Sequence, residues 1–253
     1  MQSLLLELRF GETVLSTATG FVVSVEKVNL LITARHVMTG RHADSDIPLS
    51  PYAGIPDNIV IYHNGANKDD RGVDTVVKVS ERLIGDDQSS RWIEHPELGP
   101  KADIAALPLT YSNKIHFASI DVAEPENPIS CRPSEMVCIV GYPVGSFQPG
   151  SHAIWATGFI ASEMDFPWQG KPVFLVDSRT RSGQSGSPVY AYRIGPYLRA
   201  DNTVSIAKPP GAAASNFLGV YSGRIHKDSD IGIVWKRSVV LELINHAAKI
   251  LNA

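Results

Sequence analysis

The strongest constraint on the fold is a series of short strand-like segments in two sets of six, followed by one helical pattern. Each segment is apolar or alternates apolar with polar residues, and Gly, Pro, Asn or Asp separates it from the next. The first set comprises Leu4–Phe10, Val14–Val25, Leu30–Thr33, Ile59–Tyr62, Val73–Val79 and Ile104–Leu107. The second set comprises Met136–Val140, His152–Ile160, Val173–Val176, Val189–Tyr192, Asn216–Val220 and Gly232–Trp235. The pattern predicts an all-β protein.

The helical pattern is confined to the end of the chain. Apolar residues recur there at helical spacing over Arg237–Ile250, and Ser238 is the predicted N-cap. Residues 121–133 carry three prolines and little periodicity, which is typical of a connection between domains. The predicted units are an N-terminal domain (1–120), a connection (121–133), a C-terminal domain (134–236) and a final helix (237–253).

Composition excludes several classes of function. A charged fraction of 19% is too low for a disordered chain, and a net charge of -3 without a basic stripe gives no support for a nucleic-acid partner. Cys131 and Cys138 do not make a disulfide framework. The apolar run Leu4–Leu6 is too short for a signal peptide, and no run reaches membrane-spanning length. We therefore expect a cytoplasmic protein with no membrane partner.

The stretch RSGQSGSPV, residues 181–189, holds five Gly or Ser residues in nine and then stops abruptly at a proline. A flexible linker would be longer. Ser185 lies between Gln184 and Gly186, and a serine hydroxyl becomes a nucleophile only beside a base. The stretch therefore predicts a functional turn that presents one serine.

His36 is the candidate base, because it follows the buried strand Leu30–Thr33 directly. Asp103 precedes the apolar strand Ile104–Leu107 and could orient the imidazole. The alternatives stay open: the histidine and serine could be ordinary structural residues. Another carboxylate in the same long interval could also take the place of Asp103; the candidates are Asp74, Asp86 and Asp87. The other histidines have no metal-ligand spacing, so we expect no metal and no cofactor.

Five motifs resemble those of the trypsin-like, chymotrypsin-fold serine peptidases, and they occur in the same order. They are GFVVSVEKVNLLITARHV, KADIAALPL, VCIVGYPVG, SGQSGSPV and FLGVYSG. The similarity is greatest to bacterial and viral members without disulfides, and it extends from about Gly20 to Trp235. The resemblance implies two six-stranded antiparallel β-barrels with a C-terminal helix, and an active site in the cleft between the barrels.

The resemblance also implies roles for the candidate residues. Ser185 would be the nucleophile, His36 the general base and Asp103 the residue that orients it, in the chain order of chymotrypsin. Gly183 would turn the backbone so that its N–H and that of Ser185 form the oxyanion hole. The expected activity is that of a serine endopeptidase that acts on protein or peptide substrates through an acyl-enzyme.

Further family positions predict how a substrate binds. Ser222 would support Asp103, and the backbone from Ser222 through Gly223 would pair with the substrate as an added strand. Arg179, Tyr221 and Arg224 would surround the primary specificity pocket. Two arginines there predict a preference for an acidic residue before the scissile bond.

One position departs from the digestive enzymes of the family. Gln184 occupies the place of the aspartate that pairs with a new N-terminus after zymogen cleavage. Activation by cleavage is therefore not expected. The oxyanion loop is either ordered from the start or ordered by an activating or regulatory protein.

Two rival functions fit the same fold. One is a catalytically silent module that binds peptides or acts as a scaffold. The other keeps the triad but hydrolyses a non-peptide ester. An intact set of His36, Asp103, Ser185 and Gly183 favours the peptidase, since a binding module has no need of all four.

Overall fold

The computed structural model describes residues 3–70, 72, 74–143, 152–209 and 211–252. Val73 of the fifth predicted segment and the last two residues of the motif VCIVGYPVG lie outside these ranges. The elements of the first half are β1 (Leu4–Phe10), β2 (Thr13–Val25), β3 (Val28–Thr33), α1 (Arg35–Thr39), β4 (Asn58–Lys68), β5 (Asp74–Arg82), β6 (Ala105–Pro108) and β7 (Ile115–His116). Those of the second half are β8 (Met136–Gly141), β9 (Ile154–Ile160), β10 (Val173–Asp177), β11 (Pro188–Ile194), β12 (Pro196–Leu198), β13 (Val204–Ile206), β14 (Ala213–Arg224), β15 (Ile231–Lys236) and α2 (Arg237–Leu251).

The first half forms an antiparallel sheet in the order β5-β4-β1-β2-β3-β6, with β7 paired to β4. The segment 91–93 connects the two ends of this sheet. Arg91 N–H donates to the Leu83 carbonyl at 2.9 Å, just beyond β5, and Ile93 exchanges two backbone hydrogen bonds with Ala106 of β6. The sheet therefore curls round, and its apolar faces turn inward.

The second half forms a closed antiparallel barrel in the order β10-β15-β14-β11-β8-β9. The predicted fold class is thereby confirmed: an all-β protein with a six-stranded second barrel and a C-terminal helix. The first sheet differs from the prediction in having seven strands within the described residues, because the two-residue strand β7 adds to β4. The predicted domain boundaries stay a prediction.

Strand β2 contributes side chains to two hydrophobic cores, because successive residues of a strand face opposite sides of the sheet. Val22 faces the core of the first sheet, whereas Phe21 and Val23 face a separate core that the two halves share. Side chains from β8, β11, β14 and α2 complete that shared core, which includes Val140 and Leu243. Because interiors are close-packed, this layer fixes one half against the other and sets the geometry of the cleft between them.

Three local features differ from the sequence prediction. His36 lies in the short helix α1, which was not predicted because five residues are too few to show a helical period. The hairpin of β12 and β13 was not among the predicted strands. The predicted N-cap Ser238 is wrong: β15 runs directly into α2, and Lys236 occupies the cap position with an extended backbone.

Two findings bear on the wider predictions. Cys138 is buried in the shared core, and both Cys131 and Cys138 are free thiols. Neither α1 nor α2, the helices of the described residues, combines the length and the apolar character needed to cross a membrane.

Candidate active site

His36 is held by Asp103 through two hydrogen bonds. The ring Nδ1 donates to Asp103 Oδ2 at 2.7 Å, and the backbone N–H donates to Oδ1 at 2.8 Å. The two residues meet because β3 and β6 are neighbours, with Thr33 opposite Ala105. A carboxylate only accepts hydrogen bonds, so the proton is on Nδ1 and Nε2 is left able to accept one. This is the tautomer that a general base requires.

Ser222 provides a further hydrogen bond to Asp103 from the other half of the chain. Its hydroxyl donates to Asp103 Oδ2 at 2.5 Å, and both side chains are buried. The carboxylate thus receives donors from α1 and from β14 at once. This hydrogen bond joins the second barrel to the first half of the chain at the site.

The electrostatics of this pair favour the charged forms. Burial by itself lowers the pKa of His36, but the negative charge of Asp103 and its hydrogen bond outweigh burial, so the pKa lies above the ordinary 6.5. Burial likewise raises the pKa of Asp103, but attraction to His36 and the hydrogen bonds from His36 and Ser222 leave it lowered. The site is therefore arranged to stabilise an imidazolium beside a carboxylate.

The alternative carboxylates are engaged elsewhere or lie outside the description. Asp86 pairs with Arg82 at 2.7 Å, and Asp87 accepts hydrogen bonds from Ser89. The side chain of Asp74 is outside the described residues. Among the described carboxylates, Asp103 is the one that contacts His36.

The loop before β11 carries Ser185 and two backbone amides of interest, that of Ser185 itself and that of Gly183 two residues earlier. Gly183 has a φ of 95°, a conformation that glycine adopts without strain. Within the described ranges, the N–H groups of Gly183 and Ser185 donate to no acceptor. Two amides that have no acceptor among the described residues, one of them that of the serine itself, are the kind of donors that an oxyanion hole needs.

Thr19 of β2 holds this loop, and sequence reasoning missed it. Its N–H donates to the Ser185 carbonyl at 2.9 Å, and its hydroxyl donates to the Gly183 carbonyl at 2.8 Å. Thr33 in turn donates to the Thr19 carbonyl at 2.7 Å. A Cβ on Gly186 would lie 2.1 Å from that carbonyl, so the close approach requires glycine. A buried threonine inside a strand carries no signal that would have identified this role.

Gln184 closes the loop on itself. Its side-chain oxygen accepts from the N–H of Arg181 at 2.7 Å, and its own N–H donates to the Arg181 carbonyl at 3.2 Å. The side chain is buried, with 1% of its surface exposed. The contact stabilises the turn without a charged partner at position 184.

Ser185 and His36 line the same pocket, but the hydroxyl does not bond the ring. The pocket also includes Gly183 and Ser182. Over the part of the chain that the structure describes, the Ser185 hydroxyl forms no hydrogen bond. In unliganded sites such bonds are often long and tighten only when substrate is bound.

The residues predicted to surround the specificity pocket differ in exposure and in their hydrogen-bond partners. Arg179 is exposed and Arg224 half-buried, and neither has an ion pair or hydrogen bond with a described residue. Tyr221 is buried, its hydroxyl meets Thr180 Oγ1 at 2.5 Å, and burial raises its pKa. Gly223 faces open space, since a Cβ there would meet nothing within 4 Å. The Tyr221 hydroxyl therefore meets Thr180, and it also lies within electrostatic range of Arg224, whose charge opposes the effect of burial on the pKa of Tyr221.

The described residues include no group of three His, Cys, Asp or Glu side chains that could hold a metal ion. The chemistry available at the site is that of a hydroxyl, an imidazole, a carboxylate and oriented amides. These are the components of acyl transfer.

The comparisons agree with this geometry. The model of the trypsin-like peptidase domain matches residues 18–195. No curated protein matches the sequence significantly. A thermostable serine protease AL20 from an extremophilic microorganism has 12% identity and a TM-score of 0.54, with 98% of this chain and 97% of that chain covered. Deg5 has 15% identity and a TM-score of 0.52, with 95% and 85% covered. The inactive Ser343Ala mutant of Rv3671c from Mycobacterium tuberculosis H37Rv has 14% identity and a TM-score of 0.49, with 97% and 85% covered.

At these identities AL20 and Deg5 show the fold alone, and the family model carries the assignment. Its match covers well over half of the chain, and it includes His36, Asp103 and Ser185. The predicted family and the predicted enzyme class, a serine endopeptidase, are confirmed by this match. The chain belongs to the trypsin-like peptidase domain family.

Proposed function

We propose that this chain hydrolyses peptide bonds with a triad of Ser185, His36 and Asp103. The observation that carries the proposal is the His36–Asp103–Ser222 chain of hydrogen bonds on one side of a pocket that Ser185 and its flanking amides also line. The bond from Nδ1 to Asp103 leaves Nε2 as the acceptor for the hydroxyl proton.

The reaction begins when Ser185 Oγ attacks the substrate carbonyl carbon and His36 Nε2 takes the hydroxyl proton. The oxyanion that forms accepts hydrogen bonds from the amides of Gly183 and Ser185. His36 then protonates the leaving nitrogen, the C–N bond breaks, and an acyl-enzyme remains. Water attacks this ester with His36 again as the base, and the serine is released. Each such amide donor contributes on the order of 100- to 1000-fold in rate.

The arrangement of the oxyanion loop supports activity without cleavage of a zymogen. Gln184 and Thr19 hold the loop through neutral hydrogen bonds, so no new N-terminal charge is needed. Control by an activating or regulatory protein and a cytoplasmic location stay predictions from the sequence.

Arg179 and Arg224 support a preference for an acidic residue before the scissile bond. Both guanidinium groups lack an anionic partner among the described residues, and a substrate carboxylate could supply one. A peptide series that differs only at this position tests the preference: cleavage after Glu should be fastest. Faster cleavage after Lys or Leu contradicts it.

A silent peptide-binding module is the second candidate, because the Ser185 hydroxyl does not bond His36 here. Cleavage-site mapping on a complex peptide mixture separates the two. Wild-type protein should generate new termini that Ser185→Ala does not generate. Equal patterns from both proteins, with both folded, would favour the silent module.

A further inference from the structure

A largely apolar pocket adjoins the proposed catalytic residues on the side away from β14. Its volume is about 300 Å³. His36, Ser185 and Gly183 form its inner end, and Leu8 and Leu15 form part of its wall. A cavity of this size is at the lower end of the range for sites that bind small ligands, and it is ample for one large side chain.

The outer wall of the pocket is the segment 49–56, which we call the pocket loop. Leu49 N–H donates to the Gly40 carbonyl at 2.8 Å, so the loop is bonded to the end of α1. A Cβ on Gly40 would lie 2.4 Å from Pro56 Cδ, and one on Gly54 would lie 2.8 Å from Leu15 Cδ2. The loop is thus closely packed against α1 and β2. The pocket exists before any ligand binds.

The lining has a clear chemical character. Among its described residues there is no lysine, arginine, aspartate or glutamate. The apolar members outside β1 and β2 are Val37, Leu49, Pro51 and Pro56, and the lining also includes serine and threonine residues. A charged side chain would lose its hydration here without gaining a partner, whereas an apolar one would leave water.

The position of the pocket indicates which part of a substrate enters it. In the proposed mechanism, the acyl part of the substrate pairs with β14 from Ser222 onward. No described residue of β14 lines the pocket. His36, which must protonate the leaving nitrogen, does line it. The pocket therefore lies where the leaving half of the substrate departs.

We infer that this pocket binds the side chain of the residue directly after the scissile bond and selects a large apolar one, such as Leu, Met or Phe. The inference rests on the proposed peptidase function and adds a second determinant of specificity to it. Leu, Met and Phe each bury several more carbon atoms than Ala. Cleavage before one of them should therefore be favoured over cleavage before Ala by about 10-fold or more in kcat/KM.

Acyl transfer to amino-acid amides tests the leaving side directly. A small ester substrate acylates Ser185, and the added amide competes with water for the acyl-enzyme. The amine nitrogen attacks the ester carbonyl, its proton passes through His36 to Ser185 Oγ, the Oγ–C bond breaks, and a peptide bond forms. Leucinamide or phenylalaninamide should capture the acyl group at least about 10-fold more efficiently than alaninamide, lysinamide or glutamic acid α-amide.

Leu49→Lys reverses the character of the pocket at a residue that is 51% exposed, so folding is preserved. Capture by leucinamide should fall about 10-fold, and capture by glutamic acid α-amide should rise above the wild-type level. Ile47→Lys is the matched control, since Ile47 lies nearby, is 64% exposed and does not line the pocket. Ester hydrolysis itself should be unchanged in Ile47→Lys, and the capture ratios of each variant are compared at equal acylation of Ser185.

The possible outcomes distinguish a failure of the pocket inference from a failure of the peptidase proposal. Acylation of Ser185 with equal capture of all amides overturns the inference and leaves the peptidase proposal standing. A Leu49→Lys profile identical to that of Ile47→Lys does the same. Failure of the ester to acylate folded wild-type protein overturns both.

Discussion

The Thr19 N–H donates to the Ser185 carbonyl across the cleft, at 2.9 Å. The Thr19 hydroxyl also donates to the Gly183 carbonyl and accepts from the Tyr142 N–H. One residue of β2 therefore holds both ends of the Gly183–Ser185 segment. The direction of the two unpaired amides depends on this contact as much as on the glycine itself.

Thr19→Val keeps the shape of the side chain and removes its hydroxyl. The Gly183 carbonyl and the Tyr142 N–H then lose a partner, so kcat should fall roughly 10- to 100-fold, less than the loss expected for removing an oxyanion donor itself. KM should change little. The unpaired groups should also lower the free energy of unfolding by about 1–3 kcal/mol. Steady-state kinetics and denaturant unfolding measure both effects.

Thr13→Val is the control for this substitution, because Thr13 lies on the same strand, is exposed and holds no part of the loop. Its kinetics should match wild type. A folded Thr19→Val protein with wild-type kcat would show that the hydrogen bonds of the Thr19 hydroxyl do not position the oxyanion hole.

Asp103→Asn should reduce kcat by about 10,000-fold with little change in KM, because the amide no longer selects the Nδ1-protonated tautomer of His36. Asp86→Asn is the matched control: Asp86 lies in the same long interval and pairs with Arg82. Its kcat should equal that of wild type. A smaller loss in Asp103→Asn than in Asp86→Asn would contradict the assignment of Asp103.

The pH dependence of kcat/KM should report the His36–Asp103 pair. His36 acts as a base only when neutral, and its pKa is raised above 6.5 by Asp103 despite burial. Activity should therefore rise through an acid limb whose midpoint is above the ordinary histidine value. In Asp103→Asn the residual activity should show an acid limb whose midpoint lies at a lower pH than in wild type, because the charge that raises the pKa of His36 is gone. A wild-type midpoint below 6.5 contradicts the electrostatic account.

The burial of His63 should make the free energy of unfolding depend on pH, independently of activity. The ring is buried in β4, packs edge-on against Phe117 at 5.4 Å, and burial lowers its pKa to about 4. The unfolded chain binds a proton near pH 6.5 and the folded protein does not. This contribution is therefore fully present above pH 6.5 and is lost as the pH falls towards 4, by about 3 kcal/mol in all.

His63→Leu should remove that part of the decline, as measured by urea unfolding across the same pH window. His116→Gln, at an exposed histidine of β7, should leave it unchanged. If His63→Leu loses stability on acidification as steeply as wild type, then His63 is not the group responsible.

The strands and the final helix were predictable from the sequence because their patterns are long. Leu4–Phe10 was predicted with its observed bounds, and Arg237–Ile250 differs from α2 by one residue. The order of the motifs also predicted the family. Ser222 was expected beside Asp103 and lies there. The strand, helix and motif patterns are encoded in contiguous residues, which a sequence displays directly, whereas the contact between Ser222 and Asp103 was implied by the family resemblance.

Contacts between distant residues were not predictable where the family resemblance did not imply them. Thr19 acts on residues more than 160 positions away, and nothing in its neighbourhood marks it. Helix α1 is too short to show a period. The packing of the pocket loop against Leu15 depends on tertiary contacts and leaves no local pattern. The hydrogen bond between the Tyr221 hydroxyl and Thr180 was likewise not predicted.

The central claim is that Ser185 is a nucleophile activated by His36. A fluorophosphonate probe, with the adduct located by peptide mass spectrometry, tests it most directly. The account predicts one adduct, at Ser185, that is lost in Ser185→Ala and strongly reduced in His36→Ala. Labelling should persist in Ser182→Ala, which alters a neighbouring serine. Folded wild-type protein that takes up no probe, or an adduct that survives in Ser185→Ala, would contradict the claim.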